Sequence, residues 1–260
     1  MKPFSVLLAA APLALLCVGS AIAEEAEQSD QSTGYYVTFG AGAAWPENVD
    51  GSQEDYTSRW STGEIFYGSI QPKFDLNAGF AGETGLGHDF GDLRAELTYV
   101  YTSSSVESVT GSGRESGTLL GRSYAQFPYD IKVSGKGSFS TNSVFVSGYY
   151  DIPTGGALTP YFGGGLGYTS VSVPGQSGTI PATLNGIRYP LRPKMSSAGG
   201  SAGALGYQAK VGLSYAAKEN ADIFVEGTYQ GSTAVTVNGI DYSGLNSFGA
   251  RAGVRFRFGT

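Results

Sequence analysis

Phe248-Gly249-Ala250-Arg251-Ala252-Gly253-Val254-Arg255-Phe256-Arg257-Phe258, near the end of the chain, alternates without a fault. Successive side chains of a strand point to opposite faces. The segment therefore presents one apolar face (Phe248, Ala250, Ala252, Val254, Phe256, Phe258) and one made only of glycine and arginine. Such a strand separates two different solvents. The same pattern recurs upstream. Tyr35, Val37, Phe39, Ala41 and Ala43 alternate with Tyr36, Thr38, Gly40, Gly42 and Ala44; Leu76, Ala78, Phe80, Gly82 and Leu86 alternate with Asp75, Asn77, Gly79, Ala81 and Glu83. Leu93, Ala95, Leu97, Tyr99 and Tyr101 alternate with Arg94, Glu96, Thr98 and Thr102, with Val100 interrupting the polar face. A fourth strand covers residues 141–152, where Phe145 and Tyr149 leave the facing open, and a fifth covers 160–173. Residues 207–215 and 221–230 supply the sixth and seventh, and the quoted segment is the eighth.

The connections carry independent information. Strands two and three meet at Gly91-Asp92, four and five across 153–159, six and seven at Ala216-Ala217-Lys218-Glu219-Asn220. The other gaps are long: 46–73, 103–140, 174–203 and 231–247. With neighbours paired in order, every short turn falls on one rim and every long loop on the other, the asymmetry of outer-membrane barrels. The expected fold is all-β, an eight-stranded antiparallel up-and-down transmembrane β-barrel over residues 34–260, with both termini periplasmic. A soluble sandwich or lipocalin-like barrel competes with it, since alternation alone requires only that one face be buried. Against that rival stand the aromatics near strand ends, Trp45, Tyr101, Tyr215, Tyr229 and Phe258, which suit interfacial girdles. The opposite faces carry Glu83, Arg94, Glu96, Lys210, Asp222, Glu226, Arg251, Arg255 and Arg257, too many charges for an apolar cup.

Composition agrees. Glycine, at 40 of 260 residues, stands at about twice its usual share of roughly 7%. The first 23 residues read as an export signal: Lys2, an apolar run from Val6 to Leu16 interrupted by Pro12, and Ala21-Ile22-Ala23 as a small-x-small cleavage site. Cys17, the single cysteine, lies inside that leader behind Ala14-Leu15-Leu16, where a lipidation site would place small residues, so neither a lipid anchor nor a disulfide framework is expected. Cleavage removes Lys2 and moves the formal net charge from −6 to −7, which excludes general nucleic-acid binding. With one histidine, His88, no ordinary zinc site is expected, and no cofactor. Residues 24–33, acidic and without apolar period, read as a disordered tail.

In the segments Gly34-Tyr35-Tyr36-Val37-Thr38-Phe39-Gly40-Ala41-Gly42, Thr159-Pro160-Tyr161-Phe162-Gly163-Gly164-Gly165-Leu166-Gly167-Tyr168 and Arg251-Ala252-Gly253-Val254-Arg255-Phe256-Arg257-Phe258, the chain resembles the small outer-membrane proteins of the OmpA/OmpX type. Within them it is most similar to the opacity-protein and rickettsial major-surface-protein relatives. The resemblance spans residues 34–260, and its specificity lies in the order of the motifs. Family members usually end on an aromatic residue read by the barrel-insertion machinery. Here Phe258 is followed by Gly259-Thr260, which shifts that role to Phe256 and Phe258. No counterpart of the family's peptidoglycan-binding domain is expected after Phe258.

Eight strands enclose an interior that side chains just about fill. Four inward acids (Glu83, Glu96, Asp222, Glu226) and five bases (Arg94, Lys210, Arg251, Arg255, Arg257) are expected to pair across the lumen, as a plug or as a gated polar conduit, with inward glycines leaving room for water. A Ser-His mechanism would have to use His88, which falls beside Asp89 on the periplasmic rim, away from outer-leaflet lipid. The first long loop carries Glu47, Asp50, Glu54, Asp55 and Glu64 against Arg59, a loose calcium candidate without a Ca-loop spacing. The third carries Arg188, Arg192 and Lys194 without an acid, a basic patch suited to lipopolysaccharide phosphates or an anionic partner. Loops two and three are long enough for extra hairpins, the former around 121–133. The expected role is a structural or adhesin/antigen-type surface protein acting through its loops among outer-membrane lipids. A narrow diffusion channel is the alternative, and a lipid-modifying enzyme the third reading.

Overall fold

The computed structural model describes residues 33–59, 63–119, 121–179, 183–184, 187–188 and 194–258. Residues 1–23, the expected export signal, and the expected tail as far as Ser32 lie outside the described residues. Among the described residues seventeen strands follow one another. Eight form the barrel: β1 (Gly34–Pro46), β4 (Gly79–Asp89), β5 (Leu93–Leu119), β7 (Ser138–Asp151), β8 (Leu158–Val173), β13 (Gly200–Lys218), β14 (Ala221–Ser232) and β17 (Asn246–Phe258). Each pairs antiparallel with its neighbours in chain order. β1 closes the ring against β17 in an unbroken register from Tyr35↔Phe258 to Pro46↔Ser247. Closure leaves no edge in the spanning sheet, the condition for placing backbone in hydrocarbon.

The outer face of this ring is apolar. Leu86, Leu97, Val146 and Leu166 lie side by side across four strands and are more than half exposed, Val146 at 68%. The inward positions are polar: Arg94, Lys210, Arg251 and Arg255 are 3–4% exposed. That inversion of the usual soluble pattern is the lipid-facing barrel read from the final strand. Phe145 and Tyr149 face inward, as does Val100, all at 4% exposure or less. This settles the fourth strand's facing and explains the interruption in the third.

The long connections are themselves built of strands. β2 (Val49–Arg59) and β3 (Ile65–Leu76) form a hairpin in the first. β5 continues past the barrel to pair with β3 on one side and β6 (Arg122–Ser134) on the other. β15 (Val235–Val237) and β16 (Ile240–Tyr242) form a hairpin in the fourth connection, and β16 pairs with β2. The result is an extracellular sheet in the order β15-β16-β2-β3-β5-β6. The third connection holds two small ribbons, β9 (Gln176–Thr179) with β12 (Lys194–Ser197) and β10 (Thr183–Leu184) with β11 (Ile187–Arg188).

Three expectations change. Hairpins occupy the first and fourth connections as well as the second and third. The second barrel strand begins at Gly79 rather than Asp75, because Asn77 turns the chain: its N–H donates to the Ser105 carbonyl (3.0 Å) and its Nδ2 to Ser105 Oγ (3.3 Å). Asp75 belongs to β3 and accepts from Ser108 Oγ at 2.6 Å. The inward glycines do not leave space. A Cβ on Gly87 would run into the ring of Tyr36, one on Gly212 would lie 2.5 Å from Tyr161 Cζ, and one on Gly85 would lie 2.9 Å from Glu96 Cδ. Each glycine is a recess for a large inward neighbour. Gly87→Ala is expected to cost about 1–3 kcal/mol through overpacking, read as a lower urea midpoint of the refolded barrel; an unchanged midpoint would mean that the Tyr36 ring is free to move aside.

Candidate functional site

The lumen is filled in layers. At the periplasmic end Arg94 of β5 grips Asp151 of β7 with two hydrogen bonds, Nε to Oδ2 (2.6 Å) and Nη2 to Oδ1 (2.8 Å). Its guanidinium lies 4.9 Å from the ring centroids of both Tyr149 and Tyr161. Desolvated cation–π contacts of this kind contribute about 2 kcal/mol or more. Beside it, Arg257 donates to Asp222 at 2.7 Å and approaches Asp89 at 3.6 Å, while Arg255 reaches Asp222 at 3.3 Å and stands over Tyr36. Asp222 and Arg255 are directly opposed in the β14–β17 register, as are Glu226 and Arg251.

Above this layer Lys210 of β13 bridges two carboxylates, Glu83 at 2.7 Å and Glu226 at 3.0 Å. Arg251 Nη1 donates to Glu83 at 2.5 Å and its Nη2 to Gln230 at 3.1 Å. Tyr161 Oη donates to Glu226 at 2.9 Å. All four charged side chains are at most 3% exposed. Glu96 is held differently, accepting from Thr38 Oγ1 (3.0 Å) and Thr98 Oγ1 (2.7 Å), with no cation at ion-pair distance among the described residues. Gln208, Ser147, Gln230, Ser143 and Thr169 form the next layer, tied by hydrogen bonds of 2.8–3.3 Å. Over it lies a cavity of about 30 Å³ lined by Thr102, Thr141, Thr169 and Gln230 among others, large enough for one or two waters.

The extracellular mouth is closed by apolar side chains. Val49 and Phe74 of the first hairpin, Val106 and Val109 of β5, Phe139 of β7, Val171 of β8 and Val235, Val237, Ile240 and Tyr242 of the last hairpin form one buried cluster. Phe74 and Phe139 meet edge to face at 5.3 Å. Burial pushes the Tyr242 phenol up to about 12. A charged solute entering from outside meets hydrocarbon first, and desolvating it there is costly.

The sequence expectation for the lumen is corrected in two ways. Asp89 and Asp151 join the acids, so six carboxylates face five bases. Glu96 is not ion-paired. Asp151 ends the fourth strand and Asp89 the second, and their partners follow from inter-strand register and, for Asp89 and Arg257 on either side of β1, from closure, information that alternation within one strand does not hold. The buried rings Tyr36, Tyr149, Tyr161 and Phe224 were also not legible as a lumenal cluster. Their one signal is that each alternates in step with an inward charge of its own strand or sits opposite a glycine.

The family model described as "Surface antigen" matches residues 47–246. The chain belongs to this surface-antigen family. The surface antigen is an outer-membrane β-barrel, in agreement with its apolar belt. No curated protein matches it in sequence. Among solved structures it is similar to Neisserial surface protein A, NspA, with 20% identity, 90% of this chain and 100% of that chain covered and a TM-score of 0.45. It is similar to OprG from Pseudomonas aeruginosa (11% identity, 90% and 99% covered, TM-score 0.44) and to Ail of Yersinia pestis, solved in complex with the heparin analogue sucrose octasulfate (11% identity, 86% and 99% covered, TM-score 0.34).

On the surface antigen's outer face, Trp45, Tyr101 and Tyr229 lie toward the extracellular end and Tyr215 and Phe258 toward the periplasmic end; Tyr229 packs on Phe248 at 5.0 Å. His88 is corrected from a residue beside Asp89: it lies on the outer face between Tyr35 (4.7 Å) and Phe90 (4.4 Å), whereas Asp89 points inward. Asp50 pairs with Lys73 at 3.5 Å, and among the described residues no three His, Cys, Asp or Glu groups are placed to hold a metal ion, so the loose calcium reading finds no site. Arg192 lies outside the described residues, as do the side chains of Arg188 and Lys194; the backbone of Arg188 pairs with Thr183 and that of Lys194 with Thr179.

Proposed function

We propose that this surface antigen works through its extracellular sheet, as an adhesin- or antigen-type surface protein, and that its barrel is an anchor rather than a conduit. The observation that carries this is the filled lumen closed above by the apolar cluster. Most of the seal comes from β2, β3, β5, β15 and β16, which also build the outer sheet, so the strands that block the bore with one set of side chains carry the exposed surface with another. In this reading outer-membrane lipids and lipopolysaccharide surround the aromatic belts, Phe256 and Phe258 serve the insertion machinery, and residues 1–23 direct export. The reading includes no enzymatic step, no cofactor and no nucleic-acid partner.

Single-channel recording of the refolded chain in a planar bilayer, beside the Arg251→Ala/Arg255→Ala variant, tests the anchor. A silent bilayer with insertion verified separately is the expected result. Reproducible unitary steps whose ion selectivity shifts in the variant would make the protein a narrow diffusion channel. Attachment of the refolded barrel to cell surfaces, measured with and without the outer hairpins, tests the interaction role.

A further inference from the structure

Two register faults meet on the outward face of the extracellular sheet. In β2, Glu54 and Asp55 stand opposite Ser69 of β3 alone, between the pairs Gln53↔Ile70 and Tyr56↔Gly68. In β6, Ala125 and Gln126 stand opposite Ser116 of β5 alone, between Glu115↔Phe127 and Gly117↔Tyr124. Gln126 has φ of 51°, a left-handed backbone that a residue other than glycine keeps only where its surroundings over-determine it. They do so here: its N–H donates to Ser116 Oγ at 2.9 Å and its Nε2 to the same oxygen at 3.4 Å. Bulges re-aim side chains and recur beside functional sites. Residues from both of these line one cleft of about 570 Å³, within the range of small-molecule sites.

The lining is chemically one-sided. It offers the amides of Gln53, Gln71 and Gln126, the carboxylates of Glu54 and Asp55, several hydroxyls, and the ring of Tyr67, which is 62% exposed. Among the described residues no lysine or arginine lines it. We propose that this cleft binds a neutral saccharide, with a pyranose face against Tyr67 and its hydroxyls shared among the amides and carboxylates. Sugar hydroxyls donate and accept, which matches carboxylates that only accept and amides that do both. The tyrosine ring supplies apolar contact for the sugar's C–H face at little entropic cost. An anionic glycan or phosphate would meet two carboxylates and no cation, an unpaired charge at the site. The proposal rests on the reading of the outer sheet as the interaction surface.

The test is binding of the refolded full chain to a printed panel of neutral, sialylated and sulfated oligosaccharides, with an oligolysine peptide alongside. Binding confined to neutral members, weakened about tenfold or more by Tyr67→Ala and kept by Tyr67→Phe, is the expected result. Binding confined to charged glycans, binding indifferent to Tyr67→Ala, or salt-sensitive capture of oligolysine instead would overturn it. A blank panel would also overturn it. If the chain still attaches to cell surfaces and loses attachment with its outer hairpins, the saccharide assignment alone fails; if attachment fails too, the surface role falls with it.

Discussion

Lys210→Met is expected to destabilise the refolded barrel by about 3–5 kcal/mol, because removing one partner of a buried ion pair leaves an uncompensated charge behind. Here it leaves two. Lys210 Nζ is the cation between Glu83 and Glu226. Without it, Arg251 serves Glu83 at 2.5 Å but stands 3.9 Å from Glu226. Methionine matches the stem in volume, so the cost is electrostatic rather than a cavity. The double variant Lys210→Met/Glu226→Gln is expected to recover a large part of the loss, since contacting residues are energetically coupled. Denaturant unfolding in lipid vesicles reads both. A loss below about 1 kcal/mol, the value for solvated pairs, would mean that bulk water reaches these carboxylates and would count against a closed lumen.

The second large effect lies on the opposite side of the same wall. Val146→Arg places a charge halfway along β7, in the row Leu86, Leu97, Val146, Leu166. In a membrane barrel an arginine at the midplane costs about 2–4 kcal/mol and one near an interface about 0–1. Trp45→Arg, near the extracellular end of β1, is the comparison. A steep difference between the two positions is expected. In a soluble protein both outward positions would be exposed sites, where substitutions change stability by about 0.5 kcal/mol or less. Equal small losses at both depths would therefore remove the lipid belt.

The eight barrel strands were legible because each must satisfy two solvents along its whole length, which writes a period of two directly into residues such as Phe248 to Phe258. The extracellular strands obey a weaker rule. In β3 one face carries Phe66, Gly68, Ile70, Pro72 and Phe74, all buried but the half-buried glycine, and the glycine and proline hide the alternation that the three large side chains keep. In the last connection the signal was present in another form. Asn238-Gly239, with φ of 52° and 79°, is the pair that a two-residue hairpin turn demands, set between Val235-Thr236-Val237 and Ile240-Asp241-Tyr242. The lumenal partners were less accessible still. That Arg94 finds Asp151 and Arg257 finds Asp222 is fixed by the register between neighbouring strands, and residue types alone do not encode it.

β5 runs without a break from Leu93 at the periplasmic rim to Leu119 in the outer sheet, with its lower part laddered to β4 and β7 and its upper part to β3 and β6. A tensile load applied to the outer sheet therefore travels down one continuous backbone into the barrel wall. Ladder hydrogen bonds lie across the strand axis, so this pull shears many of them at once instead of peeling them singly. The strand serves as a mast stepped through the deck, and the outer sheet is backed by the whole height of the barrel.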